Sequence, residues 1–199
     1  MSATTSQDAL QRLVLDALPP QGGWSEEEYP WLTDRLRRLV EFDAGYVDVL
    51  PMPTDEHQGI SAFLFLAFSE YLRQRGGVVR SAPLRLRLPD GRIREPDLLL
   101  LRDADDSRCQ NRYWQWADLV LEIVSPDKPE RDLVEKRREY EQAGIPEYWI
   151  VNPLDRTVVV LRLREGRYAE HGVFGRGERA TSPLLAGFAV EVDATFAAR

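Results

Sequence analysis

The stretch Leu119-Val120-Leu121-Glu122-Ile123-Val124, closed by Ser125-Pro126, decides the fold of this chain. A short, nearly continuous apolar run that ends at a proline is typical of a strand buried on both faces of a sheet. The acid in its middle, Glu122, would cost several kcal/mol as an isolated buried charge, on the order of the known penalties. The run therefore predicts a central strand whose carboxylate meets a cation, a metal ion or hydrogen-bond donors.

A second acid stands in the same situation upstream, in Arg94-Glu95-Pro96-Asp97 followed by four leucines. Proline is tolerated only at the start or edge of a strand, so Asp97 is expected to open a buried strand. Two carboxylates on neighbouring buried strands repel unless they share a cation. Because oxygen-only ligands suit Mg²⁺ or Mn²⁺, Asp97 and Glu122 are candidate ligands for one of these metals.

The residues after Pro126 change to a helical pattern. A helix is predicted to begin at Asp127 or Pro129 and to end at Gly144, a favourable C-terminal cap. Asp132, Lys136 and Tyr140 are four residues apart and share one face of it. Only two of the 26 basic residues are lysines, which suggests a specific use for the compact ammonium of Lys136. The alternative is an exposed ion pair of Asp132 with Lys136, with Tyr140 as a packing residue.

An earlier helix follows Pro53-Thr54 and carries an apolar stripe at helical spacing, which predicts a core helix. Glu56 and His57 lie in its first turn. An acid there is favoured by the helix dipole, so Glu56 needs no further role. An ordinary hydrogen-bonded residue near the edge of the sheet is likewise a sufficient explanation for His57.

Taken in order, these segments resemble the core of the Uma-two family, a bacterial group in the PD-(D/E)XK, or restriction-endonuclease-like, superfamily. The resemblance also includes Gly144 to Pro153, and weaker similarity extends from about Trp24 to Val192. It implies an α/β fold, a restriction-endonuclease-like core with a central mixed β-sheet flanked by helices. The residues themselves add N-terminal helices, one with a capping box over residues 25–28, and a hairpin of Leu39 to Phe42 with Tyr46 to Leu50. We expect an N-terminal extension with a short helix over residues 1–23 and a single domain over residues 24–199.

The resemblance also implies roles for individual residues. Asp97 matches the aspartate of the Pro-Asp element and Glu122 the second acid, whereas Val124 stands where the superfamily has its lysine. In this family the lysine lies on the following helix, which makes Lys136 the third catalytic candidate. The expected metal ligands are Asp97, Glu122, the backbone carbonyl of Ile123 and Glu56. The possible accessory residues are His57, Asp132 and Tyr140.

These residues predict a Mg²⁺- or Mn²⁺-dependent endonuclease that hydrolyses phosphodiester bonds, with DNA as the expected nucleic-acid partner and a homodimer as a possible assembly. The alternative is a non-catalytic nucleic-acid-binding or interaction module on a nuclease fold. In that case Glu122 and Lys136 would form a structural ion pair. The two hypotheses differ in whether a divalent cation binds.

Composition limits these expectations. The 199 residues suffice for one substantial core, and a protein of the cytoplasm is expected, since the sequence has no membrane span and no signal-peptide pattern. The single cysteine, Cys109, excludes an intramolecular disulfide and a cysteine-based zinc site. A net charge of −7 does not favour tight nucleic-acid binding by bulk electrostatics.

Overall fold

A computed structural model describes residues 18–36 and 38–198. Its helices are α1 (Glu28–Thr33), α2 (Asp55–Arg73), α3 (Lys136–Ala143) and α4 (Val192–Ala197), and a π-helical segment (Arg131–Glu135) runs directly into α3. The strands are β1 (Val40–Asp43), β2 (Tyr46–Val49), β3 (Val78–Ser81), β4 (Arg85–Arg87), β5 (Ile93–Arg94), β6 (Leu98–Leu101), β7 (Tyr113–Trp114), β8 (Leu119–Ile123), β9 (Glu147–Asn152), β10 (Thr157–Arg164), β11 (Arg167–Phe174), β12 (Arg179–Thr181) and β13 (Ala189–Glu191).

The main sheet has six strands in the order β11-β10-β9-β8-β6-β3. Strand β8 lies inside it, parallel to β9 and antiparallel to β6, and all five of its residues are buried. This confirms that the apolar run is a central strand covered on both faces. The sheet is mixed because the β8-to-β9 connection passes through the helix α3, whereas the other neighbouring strands pair antiparallel.

A second sheet, β2-β1-β5-β4-β7, contains the predicted hairpin, formed by β1 and β2. The turn between these strands uses Ala44 and Gly45, both with positive φ. The chain leaves this sheet after β5 and enters the main sheet at β6, so Glu95, Pro96 and Asp97 form the crossing between the two sheets. This crossing places Asp97 directly before the first residue of β6.

Helix α2 packs on one face of the main sheet. Ile60, Leu64, Phe68 and Leu72 recur along it, are fully buried and contribute to the same core as Trp149 of β9. The predicted apolar stripe is therefore confirmed. The hydroxyl of Thr54 accepts a hydrogen bond from the backbone N–H of His57 (3.2 Å), which fixes the first turn.

The N-terminal part agrees with the sequence pattern where the structure describes it. Ser25 and Glu28 form a reciprocal capping box at the start of α1. The short helix predicted for residues 1–23 lies mainly outside the described residues, and the domain division at residue 24 stays a prediction. Within residues 18–36 and 38–198, no helix is long and apolar enough to cross a membrane.

Candidate active site

The register of the main sheet brings the two predicted acids together. Leu98 of β6 pairs with Leu121 of β8, so Asp97, one residue earlier, lies beside the end of β8 that carries Glu122. One carboxylate oxygen of Asp97, Oδ2, accepts a hydrogen bond from the backbone N–H of Ile123 (2.7 Å). This bond holds the Asp97 side chain across the strand ends, next to Glu122.

The ammonium of Lys136 lies among three buried carboxylates. Its Nζ is 2.9 Å from Oε2 of Glu122, 3.3 Å from Oδ1 of Asp132 and 3.4 Å from Oε1 of Glu41. Both Asp132 and Lys136 are buried, so the alternative of an exposed ion pair on the helix surface is wrong. The helix does deliver its lysine to the strand acid, as the sequence predicted.

The helix begins at Pro129, one of the two predicted starts, but its segment Arg131–Glu135 is π-helical, which the sequence did not predict. The backbone N–H of Lys136 donates to the carbonyl of Arg131, five residues earlier. Such wide turns are rare and often occur at functional sites. Here the wide turn contains Asp132 and ends directly before Lys136. Oδ2 of Asp132 also accepts the backbone N–H of Ser125 (3.4 Å). The helix start is thereby tied to the end of β8.

Glu41 is a site residue that the sequence analysis missed. It lies on β1, is buried, and accepts hydrogen bonds from Arg131 and from the backbone N–H of Glu95 (3.2 Å). Arg94 is a further cation, 3.6 Å away. The signal was present, because Glu41 interrupts an apolar segment between Val40 and Phe42 just as Glu122 interrupts β8.

Tyr140 completes the contacts of Glu122. Its hydroxyl donates to Oε1 of Glu122 (2.6 Å), and both side chains are buried. The two oxygens of Glu122 thus have different partners, a neutral donor on one and an ammonium on the other. Tyr140 packs edge-on against Tyr148, whose hydroxyl donates to the backbone carbonyl of Asp132 (2.8 Å).

Tyr140→Phe should lower the free energy of unfolding by about 1.5–3 kcal/mol, since it removes a buried hydrogen bond to a carboxylate and leaves that oxygen unsatisfied. Tyr148→Phe is the matched control, because the same hydroxyl is lost from an equally buried tyrosine that donates to a neutral carbonyl. We expect about 1 kcal/mol for the control. Urea unfolding of the three proteins measures the difference, and equal losses would show that the Glu122 contact has no special strength.

His57 reaches the same site from the first turn of α2. Its Nε2 is 3.2 Å from Oδ1 of Asp97, while its Nδ1 is buried and has no hydrogen-bond partner within the described part of the chain. Burial acts to lower the pKa of His57, but the hydrogen bond and the charge of Asp97 outweigh it and raise the pKa above its ordinary value. The geometry makes His57 a neighbour of the strand acid rather than a residue of the sheet edge alone.

The charges of the site are unequally compensated. Burial raises the pKa of Glu122, and the charges of Asp132, Asp97 and Glu41 raise it further against the opposing effect of Lys136. Burial likewise raises the pKa of Asp132. Burial also acts to raise the pKa of Glu41, but Lys136, Arg131 and Arg94 together lower it to about 2. The carboxylate of Glu41 is therefore well compensated by the cations around it, whereas burial and neighbouring acids oppose ionisation of Glu122 and Asp132.

The pKa of Lys136 shows which form of this side chain is present. Burial would lower the pKa, but Glu122, Glu41 and Asp132 outweigh burial and raise the pKa above its ordinary range. Lys136 is therefore an ammonium at neutral pH.

The acids open into a cleft of about 690 Å³. Its floor is lined by Asp97, Glu122, Asp132, Lys136 and His57. The exposed side chain of Glu56 lies at its edge. The structure thus brings all the predicted site residues to one cleft except Tyr140, which stands behind Glu122. The roles of Glu56 and of the Ile123 carbonyl as metal ligands stay predictions.

The donor set of this cleft can be compared with what a divalent metal requires. Among residues 18–36 and 38–198, no three His, Cys, Asp or Glu side chains converge closely enough to hold a metal ion by themselves. Zinc sites require such a set, whereas Mg²⁺ is usually bound by one or two carboxylates and retains several waters. The carboxylates of Asp97 and Glu122 are of the kind and number that a hydrated Mg²⁺ or Mn²⁺ takes from a protein.

Comparison with known proteins shows which proteins this chain resembles in sequence and in fold. Uma2, a family described as "Putative restriction endonuclease", matches residues 26–194. A similar solved structure, titled as that of a "putative nuclease" from Anabaena variabilis ATCC 29413, has 19% sequence identity, covers 87% of this chain and 98% of its own, and gives a TM-score of 0.72. No protein with a curated description matches the sequence.

The structural similarity confirms the predicted fold, an α/β nuclease-type core with a central mixed sheet flanked by helices. The family match covers the hairpin, α2, both acid-bearing strand ends and the helix of Lys136. It therefore includes every element that contributes a side chain to the cleft. The chain therefore belongs to the Uma2 family, whose description is "Putative restriction endonuclease".

Proposed function

We propose that this protein is a divalent-metal-dependent endonuclease, active with Mg²⁺ or Mn²⁺, that hydrolyses phosphodiester bonds and acts on DNA. The observation that carries the proposal is the convergence of Asp97, Glu122 and the ammonium of Lys136 on the floor of one cleft. Two carboxylates on neighbouring strand ends attract a divalent cation, and the fixed positive charge of Lys136 lies beside them.

Asp97 and Glu122 would hold the metal, together with the Ile123 carbonyl and, at the edge of the cleft, Glu56. When bound, the metal would activate a water molecule and offset the charge that develops on the phosphate. The hydrogen bond from the N–H of Ile123 orients one oxygen of Asp97 and leaves the other beside His57. His57 would then limit the positions that the Asp97 carboxylate can take.

Lys136 would act as a fixed charge. A general base at neutral pH needs a lysine whose pKa is lowered, and the three carboxylates around Lys136 have the opposite effect. Its ammonium is held in place by Glu122, Asp132 and Glu41, so it can stabilise a developing oxyanion without reorganising. Of the roles open to this lysine, we therefore favour charge stabilisation over proton abstraction.

One observation favours the second candidate, a non-catalytic binding module. Three buried acids, Glu122, Asp132 and Glu41, lie within ion-pair distance of Lys136, as expected for a structural ion-pair cluster. The two candidates differ in cation binding: an enzyme site gains stability from Mn²⁺, because a ligand that binds only the folded state raises the melting temperature. A purely structural ion pair does not.

The proposal is tested by incubating the protein with supercoiled plasmid, linear duplex, single-stranded DNA and RNA, in Mg²⁺, in Mn²⁺ and in excess EDTA. We expect cleavage of at least one DNA substrate with either metal and none in EDTA. Cleavage that persists in EDTA would contradict metal dependence. Absence of cleavage, combined with no thermal shift in Mn²⁺, would favour the binding module.

A further inference from the structure

The mouth of the cleft has two aliphatic walls. One consists of Val49, the last residue of β2, and residues 50–53, which lead to α2; the other is the turn Pro153-Leu154 after β9. At their tips Met52 is 69% exposed and Leu154 is 59% exposed. Exposed apolar side chains grouped around a functional cleft mark a contact surface more often than isolated ones do.

The charges of the cleft do not suit a double helix. Acidic side chains outnumber Arg and Lys along its lining. Two of the cations, Lys136 and Arg131, are already held by buried or neighbouring carboxylates. Arg38 and Lys128 remain at the rim, the latter 70% exposed and 3.9 Å from Asp48.

A duplex presents phosphates from two strands, about one charge per 1.7 Å of axis, and proteins that bind it neutralise many of them. Two rim cations cannot do so, and a metal at Asp97 and Glu122 would compensate only the phosphate beside it. A single strand presents fewer phosphates and also exposes its bases. Those bases offer the apolar faces that aliphatic walls can contact.

We propose that the cleft binds unpaired nucleic acid, an inference that rests on the nuclease function proposed above. The bases that flank the scissile phosphate lie between the Met52 wall and the Leu154 wall. No Phe, Tyr or Trp of the described residues lines this cleft. Aliphatic contacts have no hydrogen-bonding pattern, so the walls bind bases without selecting among them. Single-stranded DNA and RNA share this chemistry.

The test is equilibrium binding by fluorescence anisotropy in Ca²⁺, with a labelled single-stranded oligodeoxynucleotide, its RNA counterpart and the corresponding DNA duplex. We expect at least one single strand to bind about ten-fold more tightly than the duplex. With two phosphate contacts, log K should fall with log salt at a slope of roughly −1.4. The DNA and RNA arms decide which strand is preferred.

Met52→Ser and Leu154→Ser should each weaken single-strand binding about five-fold, through lost apolar contact. Leu66→Ser is the matched control, since Leu66 is 67% exposed on α2 and does not line the cleft. It should leave binding unchanged. The oligomeric state of each variant is measured by light scattering alongside.

Equal or tighter binding of the duplex, or unchanged binding by both wall variants, would overturn this inference and leave the nuclease proposal intact. Wall variants that change the oligomeric state without changing single-strand affinity would assign the walls to a second copy of the chain, and would also overturn it. Failure to bind any nucleic acid would overturn the nuclease proposal as well.

Discussion

Asp97→Asn is expected to reduce metal-dependent cleavage by at least about a thousand-fold, equivalent to roughly 4 kcal/mol of transition-state stabilisation. The substitution removes one negative charge from the proposed metal site and preserves the shape of the side chain. The amide oxygen of asparagine can still accept the N–H of Ile123, which Asp97 now accepts at 2.7 Å. We therefore expect a folded protein with little change in melting temperature without metal.

The matched control is Asp118→Asn at the other end of β8. Asp118 and Asp97 have equally exposed side chains, 14% each, and Asp118 also accepts a backbone N–H, from Arg102 at 2.8 Å. The control should retain cleavage and the stabilisation by Mn²⁺, while Asp97→Asn loses both. Equal cleavage by wild type and Asp97→Asn would identify a contaminating nuclease.

The parts of the site that could be predicted depend on local signals. Three features can be predicted from a few neighbouring residues each. They are the strand around Glu122, from its apolar run; the strand start at Asp97, from the preceding proline; and the helix end, from its glycine. Gly144 does adopt the left-handed conformation, with φ of 81°, and its N–H caps the helix. The four-residue spacing of Asp132, Lys136 and Tyr140 likewise predicted that these side chains lie on one face of the helix. All three are buried.

The parts that could not be predicted arise from tertiary packing. The apolar residues around Glu41 mark it as a buried acid, but not its partner. Glu41 meets Lys136 only because the β1-β2 hairpin lies against the start of the Lys136 helix, about ninety-five positions away in the sequence. The π-helical turn is equally invisible, since its residues have ordinary helix propensity. The sharing of one ammonium among three acids follows from both features together.

That sharing predicts the largest effect on stability. Lys136→Met should lower the free energy of unfolding by about 3–5 kcal/mol near neutral pH, because removing one member of a buried charge cluster leaves the others uncompensated. Here Glu122, Asp132 and Glu41 all lose the same partner. Glu41 keeps Arg131, so the cost should come mainly from Glu122 and Asp132.

The loss should depend on pH in a defined direction. The pKa values of Glu122 and Asp132 already lie above their ordinary values, and removal of Lys136 should raise them further. A carboxyl group whose folded-state pKa is raised stabilises the fold while it is protonated, and this contribution disappears as pH rises through that pKa. The deficit of Lys136→Met should therefore be largest at about pH 8 and smaller at about pH 5.

Urea unfolding of Lys136→Met at both pH values measures this prediction, and the other lysine provides the control. Lys128 is largely exposed, so Lys128→Met should change stability by under about 1 kcal/mol with little pH dependence. Adding Glu122→Gln to Lys136→Met should recover part of the loss, since the neutral amide no longer needs a cation. A deficit that is independent of pH and unaffected by Glu122→Gln would show that Lys136 contributes by packing rather than by charge.

The same variant separates the two candidate functions. If the cleft binds a divalent cation, the uncompensated acids of Lys136→Met should still attract it, and Mn²⁺ should stabilise the variant at least as much as the wild type. Cleavage should nevertheless fall, because the fixed ammonium beside the phosphate is gone. In a structural module the wild type gains no stability from Mn²⁺, whereas in an enzyme both the wild type and the variant do. The melting temperatures of the two proteins with and without Mn²⁺ therefore distinguish an enzyme from a binding module even before a substrate is identified.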